Sequence, residues 1–157
     1  MSLWTCLIGV LTLSVAGAIS EECSRPISGT YIKDNWRSGS GELTVDNGQN
    51  LDAVAVLKYP NGHVYLANYI RSGESATLAG IQDGAYNVYL TLGKNWDCEA
   101  CKFTINPVYF RLGKDASFNT DWKDTGHYTK ATLSLNAGIG EHALNQVLNE
   151  NEFPNLK

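Results

Sequence analysis

Positive charge is scarce and scattered in this chain. Lys and Arg total 12 against 16 Asp and Glu, a formal net charge of −4, and the cations stand singly along the sequence. No basic patch is available to neutralise phosphates, which argues against a nucleic-acid partner, and nothing concentrated attracts an anionic membrane surface. Catalytic constellations are also missing: there is no nucleophile beside a base, no pair of carboxylates and no glycine-rich phosphate cradle. No catalytic residue and no cofactor is therefore expected. The three histidines, His63, His127 and His142, lack His-x-His or His-x-x-x-His spacing and read as surface residues, so no metal site is expected from them. Asp115, Asn119, Asp121 and Asp124 cluster, but their register is not that of a calcium loop, and they read as a solvated connection between strands.

Charge is absent altogether from residues 1–20, an apolar run that ends in the small residues Ala16, Ala18 and Ser20. That is the form of an export signal, with cleavage after Ala18 or Ser20 and Glu21 favoured as the mature start. The run departs from the pattern in having no Lys or Arg before its core. It is slightly short of the roughly 20 apolar residues that cross a bilayer, so an anchor is the less favoured reading. Cys23 follows Ser20-Glu21-Glu22, which is not a lipoprotein signal. No second apolar segment follows, and the expected address is secreted or periplasmic, with no membrane association once the leader is cut.

About 137 residues then remain, enough for one domain with a single core. Hydrophobic residues make up 43% and charged residues 18% of the sequence, a composition that argues against disorder. Residues 21–40 mix Pro, Gly, Ser and charge without a sustained period and read as a tether, leaving 41–157 as the domain. Leu43 and Val45 alternate with polar neighbours. Ala53, Ala55, Leu57 and Tyr59 then share one face while Val54 and Val56 take the other, and apolar residues on both faces predict a central strand. Pro60-Asn61-Gly62 predicts a hairpin, after which 63–71 runs back antiparallel.

Residues 74–92 carry the clearest signal. A short strand over 75–81 meets the Asp83-Gly84 turn, and beyond it Tyr86, Val88, Leu90 and Leu92 alternate with Asn87, Tyr89 and Thr91, the pattern of a half-buried strand. An irregular excursion over 93–102 is expected next. Strand character resumes over 103–112, with Pro107 marking an edge or a bulge. Short strands are expected over 118–122 and 128–135, the latter with Ala131, Leu133 and Leu135 inward. Ala143, Leu144, Val147 and Leu148 have helical spacing, ended by Phe153-Pro154. The whole predicts an all-β antiparallel sandwich of about 7–8 strands with a short C-terminal helix.

The series Gly41-Glu42-Leu43-Thr44-Val45-Asp46-Asn47-Gly48, the hairpin, the run from Tyr69 to Asp97, Tyr128 to Asn136 and the terminal Glu152-Phe153-Pro154 resembles an uncharacterised bacterial β-sandwich domain found at the end of exported or membrane-tethered proteins. That resemblance spans 41–155. More loosely, Ser75-Ala76-Thr77-Leu78 leading to Gly80-Ile81-Gln82-Asp83-Gly84-Ala85-Tyr86 is similar to prealbumin-like accessory domains. Both resemblances imply a non-catalytic module and bring no catalytic residues with them.

Cys98-Glu99-Ala100-Cys101 has the spacing of redox and metal sites. An all-β context lacks the helix that a thioredoxin-type motif caps, and no second pair supplies further zinc ligands. In an exported protein the expectation is a disulfide between Cys98 and Cys101, with a bond from either to Cys23 as the other possibility. Among the aromatics, Tyr65, Tyr69 and Tyr89 fall on the non-core parity of their strands, and Trp36, Trp96 and Trp122 lie in loops or near strand ends. Tyr65, Tyr69, Tyr89, Trp96 and Trp122 are the candidate ligand contacts, suited to stacking on cell-envelope glycan or anchoring a protein partner. Burial of the tyrosines under the second sheet or the C-terminal segment is the competing expectation. The expected function is an exported binding or accessory module at the cell envelope; the alternative is a thiol-disulfide or metal-binding protein that uses Cys98 and Cys101.

Overall fold

The computed structural model describes residues 25–123, 126–136 and 146–157. The described residues are organised by short alternating strands: β1 (Tyr31–Asp34), β2 (Gly41–Asn47), β3 (Asp52–Lys58), β4 (Val64–Ile70), β5 (Ser75–Ile81), β6 (Gly84–Asp97), β7 (Lys102–Arg111), β8 (Ala116–Phe118), β9 (Thr120–Asp121), β10 (His127–Tyr128), β11 (Lys130–Leu135) and β12 (Gln146–Leu148). The large sheet runs β1-β4-β3-β6-β7-β12, with β8 also paired to β6, and a three-stranded sheet runs β11-β2-β5. All pairings are antiparallel except that of β11 with β2, which is parallel. The chain is thus an all-β sandwich.

The facing sides of the two sheets share one core. Leu43 and Val45 of β2, Leu78 and Ile81 of β5 and Leu135 of β11 meet Ala55, Leu57, Leu66, Val88 and Leu90 of the large sheet, with the parity expected for β2, β3, β6 and β11. A second cluster covers the outer face of the large sheet, where Val54, Val56, Ala67, Tyr69 and Tyr89 lie with Trp96, Phe103, Leu148 and Leu156. This two-sided demand places β3 in the sheet interior. The hairpin after it closes at Gly62, whose φ of +98° is a conformation a side chain resists, while Asn61 accepts a hydrogen bond from the His63 N–H at 3.1 Å.

Four expectations are corrected. The predicted irregular excursion over 93–102 is a hairpin, since β6 continues to Asp97 and β7 starts at Lys102. A bulge sets Gly93 opposite Asn106 and Pro107, so the proline removes no ladder bond, and Phe103 leaves no room for a Cβ at Gly93, lying 2.5 Å from where one would stand. The segment read as a tether is, over its described part, a strap that ends in β1 and pairs with β4; an otherwise open strand edge supplies its partners. Tyr65 leaves its predicted parity because a bulge opposite Leu57 and Lys58 turns it into the inter-sheet core beside Leu66.

The predicted C-terminal helix is the fourth. Ala143 and Leu144 lie outside the described residues, Val147 and Leu148 belong to β12, and only a 3-10 turn over Glu150–Glu152 is helical. Val147 and Leu148 face opposite ways in β12, the leucine buried and the valine exposed, and the open edge of β7 offers hydrogen bonds that a short helix does not.

The strand register sets the first prediction. Val88→Asp or Leu90→Asp puts a charge among the buried residues of the shared core and should cost at least about 3 kcal/mol. Asn87→Asp should be mild, because Asn87 already faces the Arg111 guanidinium. Urea titrations of the three variants measure the contrast.

Candidate functional site

Of the five aromatics expected to meet a ligand, four are buried. Tyr65 is in the inter-sheet core, and Tyr69, Tyr89 and Trp96 are in the outer cluster. That outer face is closed by the strap and by the C-terminal segment, where Phe153 packs edge-on against Tyr89 at 6.2 Å between centroids. Lys102 pairs with Glu150 at 2.9 Å and Lys33 donates to the Lys157 carbonyl at 3.1 Å, holding this segment along the sheet. Trp122 is the exception, 78% exposed, and Trp36 joins it at 80%. Sequence reasoning placed Trp36 in a loop but not among the contacts. The signal was available: a tryptophan opening a polar Gly-Ser run, with only charged, polar or glycine residues within three positions on either side.

The segments that carry Trp36 and Trp122 are both hydrogen-bonded to the turn between β5 and β6. The Trp36 backbone sits at φ +58°, a left-handed conformation costly for a bulky residue. Gln82 holds it there, its Nε2 donating to the Trp36 carbonyl at 3.3 Å and to Ser38 Oγ at 2.8 Å. Next to it, Arg37 lies over the Tyr31 ring at 3.9 Å and pairs with Asp34. On the other flank, Thr120 Oγ1 donates to Asp83 Oδ1 at 2.8 Å, tying the turn to β9, and Trp122 follows directly after that strand. Asp121 Oδ1 accepts the Lys123 N–H at 2.9 Å.

Gln82 is itself fixed by the core. Its N–H donates to the Tyr65 hydroxyl at 3.1 Å, and its carbonyl accepts from the Tyr86 hydroxyl at 3.0 Å. The two phenol rings stack with centroids 5.0 Å apart. Burial, first of all, raises both phenols above their ordinary range, so both remain neutral hydroxyls at physiological pH.

A second polar centre ties the strap to the sheet. Arg25 grips Asp52 through two hydrogen bonds of 2.8 and 2.9 Å, while the Tyr69 hydroxyl at 2.7 Å and the Ser72 N–H at 2.8 Å complete the carboxylate's shell. Burial pushes the Asp52 carboxyl up, but Arg25, Ser72 and Tyr69 together outweigh it and hold the acid below its usual range. Burial and the Asp52 charge push the Tyr69 phenol far up. Every Asp52 contact is accounted for by the fold, so this centre is structural.

The pair Cys98 and Cys101 occupies the β6–β7 turn, where Asp97 Oδ1 accepts the N–H groups of Glu99 and Ala100 at 2.9 and 2.8 Å. The two sulfurs are not joined to each other. Cys101 is a free thiol whose Sγ donates to the Cys98 carbonyl at 3.3 Å. The expected Cys98–Cys101 bond is corrected accordingly: Asp97 and the left-handed backbone at Cys101, φ +51°, shape the turn without a covalent tie across it. Cys23, His142 and Asp124 lie outside the described residues. Among the described residues, no three His, Cys, Asp or Glu side chains gather as a metal would require, and no helix is long and apolar enough to cross a membrane.

No protein family, curated protein or solved structure matches the chain.

Two outcomes are expected from these centres. Asp52 bears a depressed pKa, so its contribution is present above the ordinary carboxylate value near 4 and is lost as pH falls through the folded value. Asp52→Ala should cost about 2–4 kcal/mol at neutral pH, since it strands the Tyr69 hydroxyl, and should flatten the loss of stability on acidification, read as melting temperature against pH. For the cysteines, a thiol-specific reagent should label Cys101 without prior reduction. Cys101→Ser should remove that labelled site, read by peptide mapping, and change stability by less than about 1 kcal/mol.

Proposed function

We propose that the chain is an exported, non-catalytic β-sandwich module that acts by binding at the cell envelope, through the sandwich end that carries Trp36 and Trp122. One observation carries this reading. Two large apolar side chains stand exposed beside a single turn, and one of them is held in a backbone conformation that its own side chain disfavours. The fold holds that strained backbone in place, and a contact surface gives the exposed side chain a use. The apolar leader supports export, and the resemblance to exported bacterial and prealbumin-like accessory domains supports the non-catalytic role.

The thiol-exchange reading keeps one specific support, the free Cys101 thiol in the β6–β7 turn. Catalysed reduction of insulin, lost in Cys101→Ser, would favour it over the binding reading.

The binding reading is tested by co-sedimentation of the purified chain with envelope fractions. Trp36→Ala and Trp122→Ala should each weaken retention at least tenfold while leaving stability within about 0.5 kcal/mol, as expected for exposed positions. Trp36→Gly should raise stability by about 1 kcal/mol, because glycine tolerates the left-handed backbone, and still lose retention. Unchanged retention in all three would refute the assignment.

A further inference from the structure

We infer that the Trp36–Trp122 end takes an uncharged pyranose glycan, an inference that rests on this end being the contact surface. The polar groups of the turn decide the class. Gln82 spends both N–H donors of its side-chain amide on Trp36 and Ser38, so what the amide has left to offer is its acceptor oxygen. Asp83 takes Thr120 on one carboxylate oxygen and keeps the other. Asp121 likewise takes Lys123 on one oxygen. The turn therefore presents acceptors, and the ligand that fits them brings donors.

An anionic ligand fits poorly. Arg37 is committed to Asp34 and to the Tyr31 ring, and the carboxylates of Asp83 and Asp121 repel phosphate, sulfate and uronate groups alike. Nucleic acid is excluded on the same ground, since single strands need a cationic groove beneath their stacked bases. Flat indoles beside hydroxyl acceptors match a sugar ring, whose C–H face is apolar and whose edge is a row of O–H donors. The rigid support of Gln82 by Tyr65 and Tyr86 sets the acceptors before the ligand arrives, which lowers the ordering cost of binding.

The test is a calorimetric and fluorescence titration of the full purified chain with cello-oligosaccharide, chito-oligosaccharide and oligogalacturonate. Trp96 is buried, and loss of the emission shift in Trp36→Ala and Trp122→Ala assigns it to those two residues and not to Trp4. Saturable binding of either neutral glycan, weakened tenfold or more in Trp36→Ala and Trp122→Ala, partly preserved in Trp36→Phe and weakened in Asp83→Ala, is the expected result. Thermal melts of each variant establish that it is folded. Preference for oligogalacturonate would overturn the inference, since acceptors would not select an acid. Absence of any glycan binding while envelope retention still depends on the tryptophans would overturn the glycan assignment and leave the contact surface standing. Absence of both would remove the contact surface as well.

Discussion

The large sheet is apolar on both faces, and most of the architecture answers that constraint. Val54 and Val56 point away from the inter-sheet core while Ala53, Ala55 and Leu57 point into it, so a single opposing sheet leaves half of β3 wet. At about 25 cal/mol per Å² of apolar surface, an open outer face with two valines, two tyrosines and a tryptophan would forfeit several kcal/mol. The chain closes it with its own ends, the strap before β2 and the segment after β12. Arg25 on Asp52 and Lys102 on Glu150 are the polar fasteners of those two covers. They differ in weight: Asp52 is buried and fully bonded, whereas Lys102 and Glu150 are both about half exposed and contribute little.

Closure of that face moves the binding surface. A row of tyrosines on an open sheet is a plausible platform from parity alone, and Tyr69 and Tyr89 do lie on the parity opposite the shared core. They serve the second cluster instead. Once both broad faces of the large sheet are occupied, the exposed aromatic surface of the described residues is concentrated at the end of the sandwich, on loops whose positions the strands fix.

The legible part of the fold was the part written by local period. β2, β3, β6 and β11 keep the faces that alternation assigned them, and the Asn61-Gly62 turn is where its dipeptide put it. What alternation left out was decided by pairing over long sequence distance. β1 has only Tyr31 and Ile32 as apolar residues and forms because the edge of β4 was open; β12 forms on β7 for the same reason. Tyr65 was misassigned because a bulge shifts parity by one residue and has no signature in the side chains around it. For the site, the sequence pattern points to Trp122 as a contact, while Trp36 stands out only as a loop tryptophan. The turn that unites them was read as a turn, without the hydrogen bonds that make it a scaffold.

Those bonds join the core to the proposed function. Gln82 is held at its N–H by Tyr65, at its carbonyl by Tyr86 and at its side chain by Trp36 and Ser38, so a surface residue inherits the rigidity of a stacked pair of buried phenols. The stack extends through Tyr59 and on to Phe118, the strand end from which β9 and Trp122 depart. Displacing Trp36 thus requires breaking its hydrogen bond to a residue that the core anchors twice. A tryptophan can persist in a left-handed backbone under such over-determination, and the strain stored there is consistent with a surface arranged in advance of its ligand.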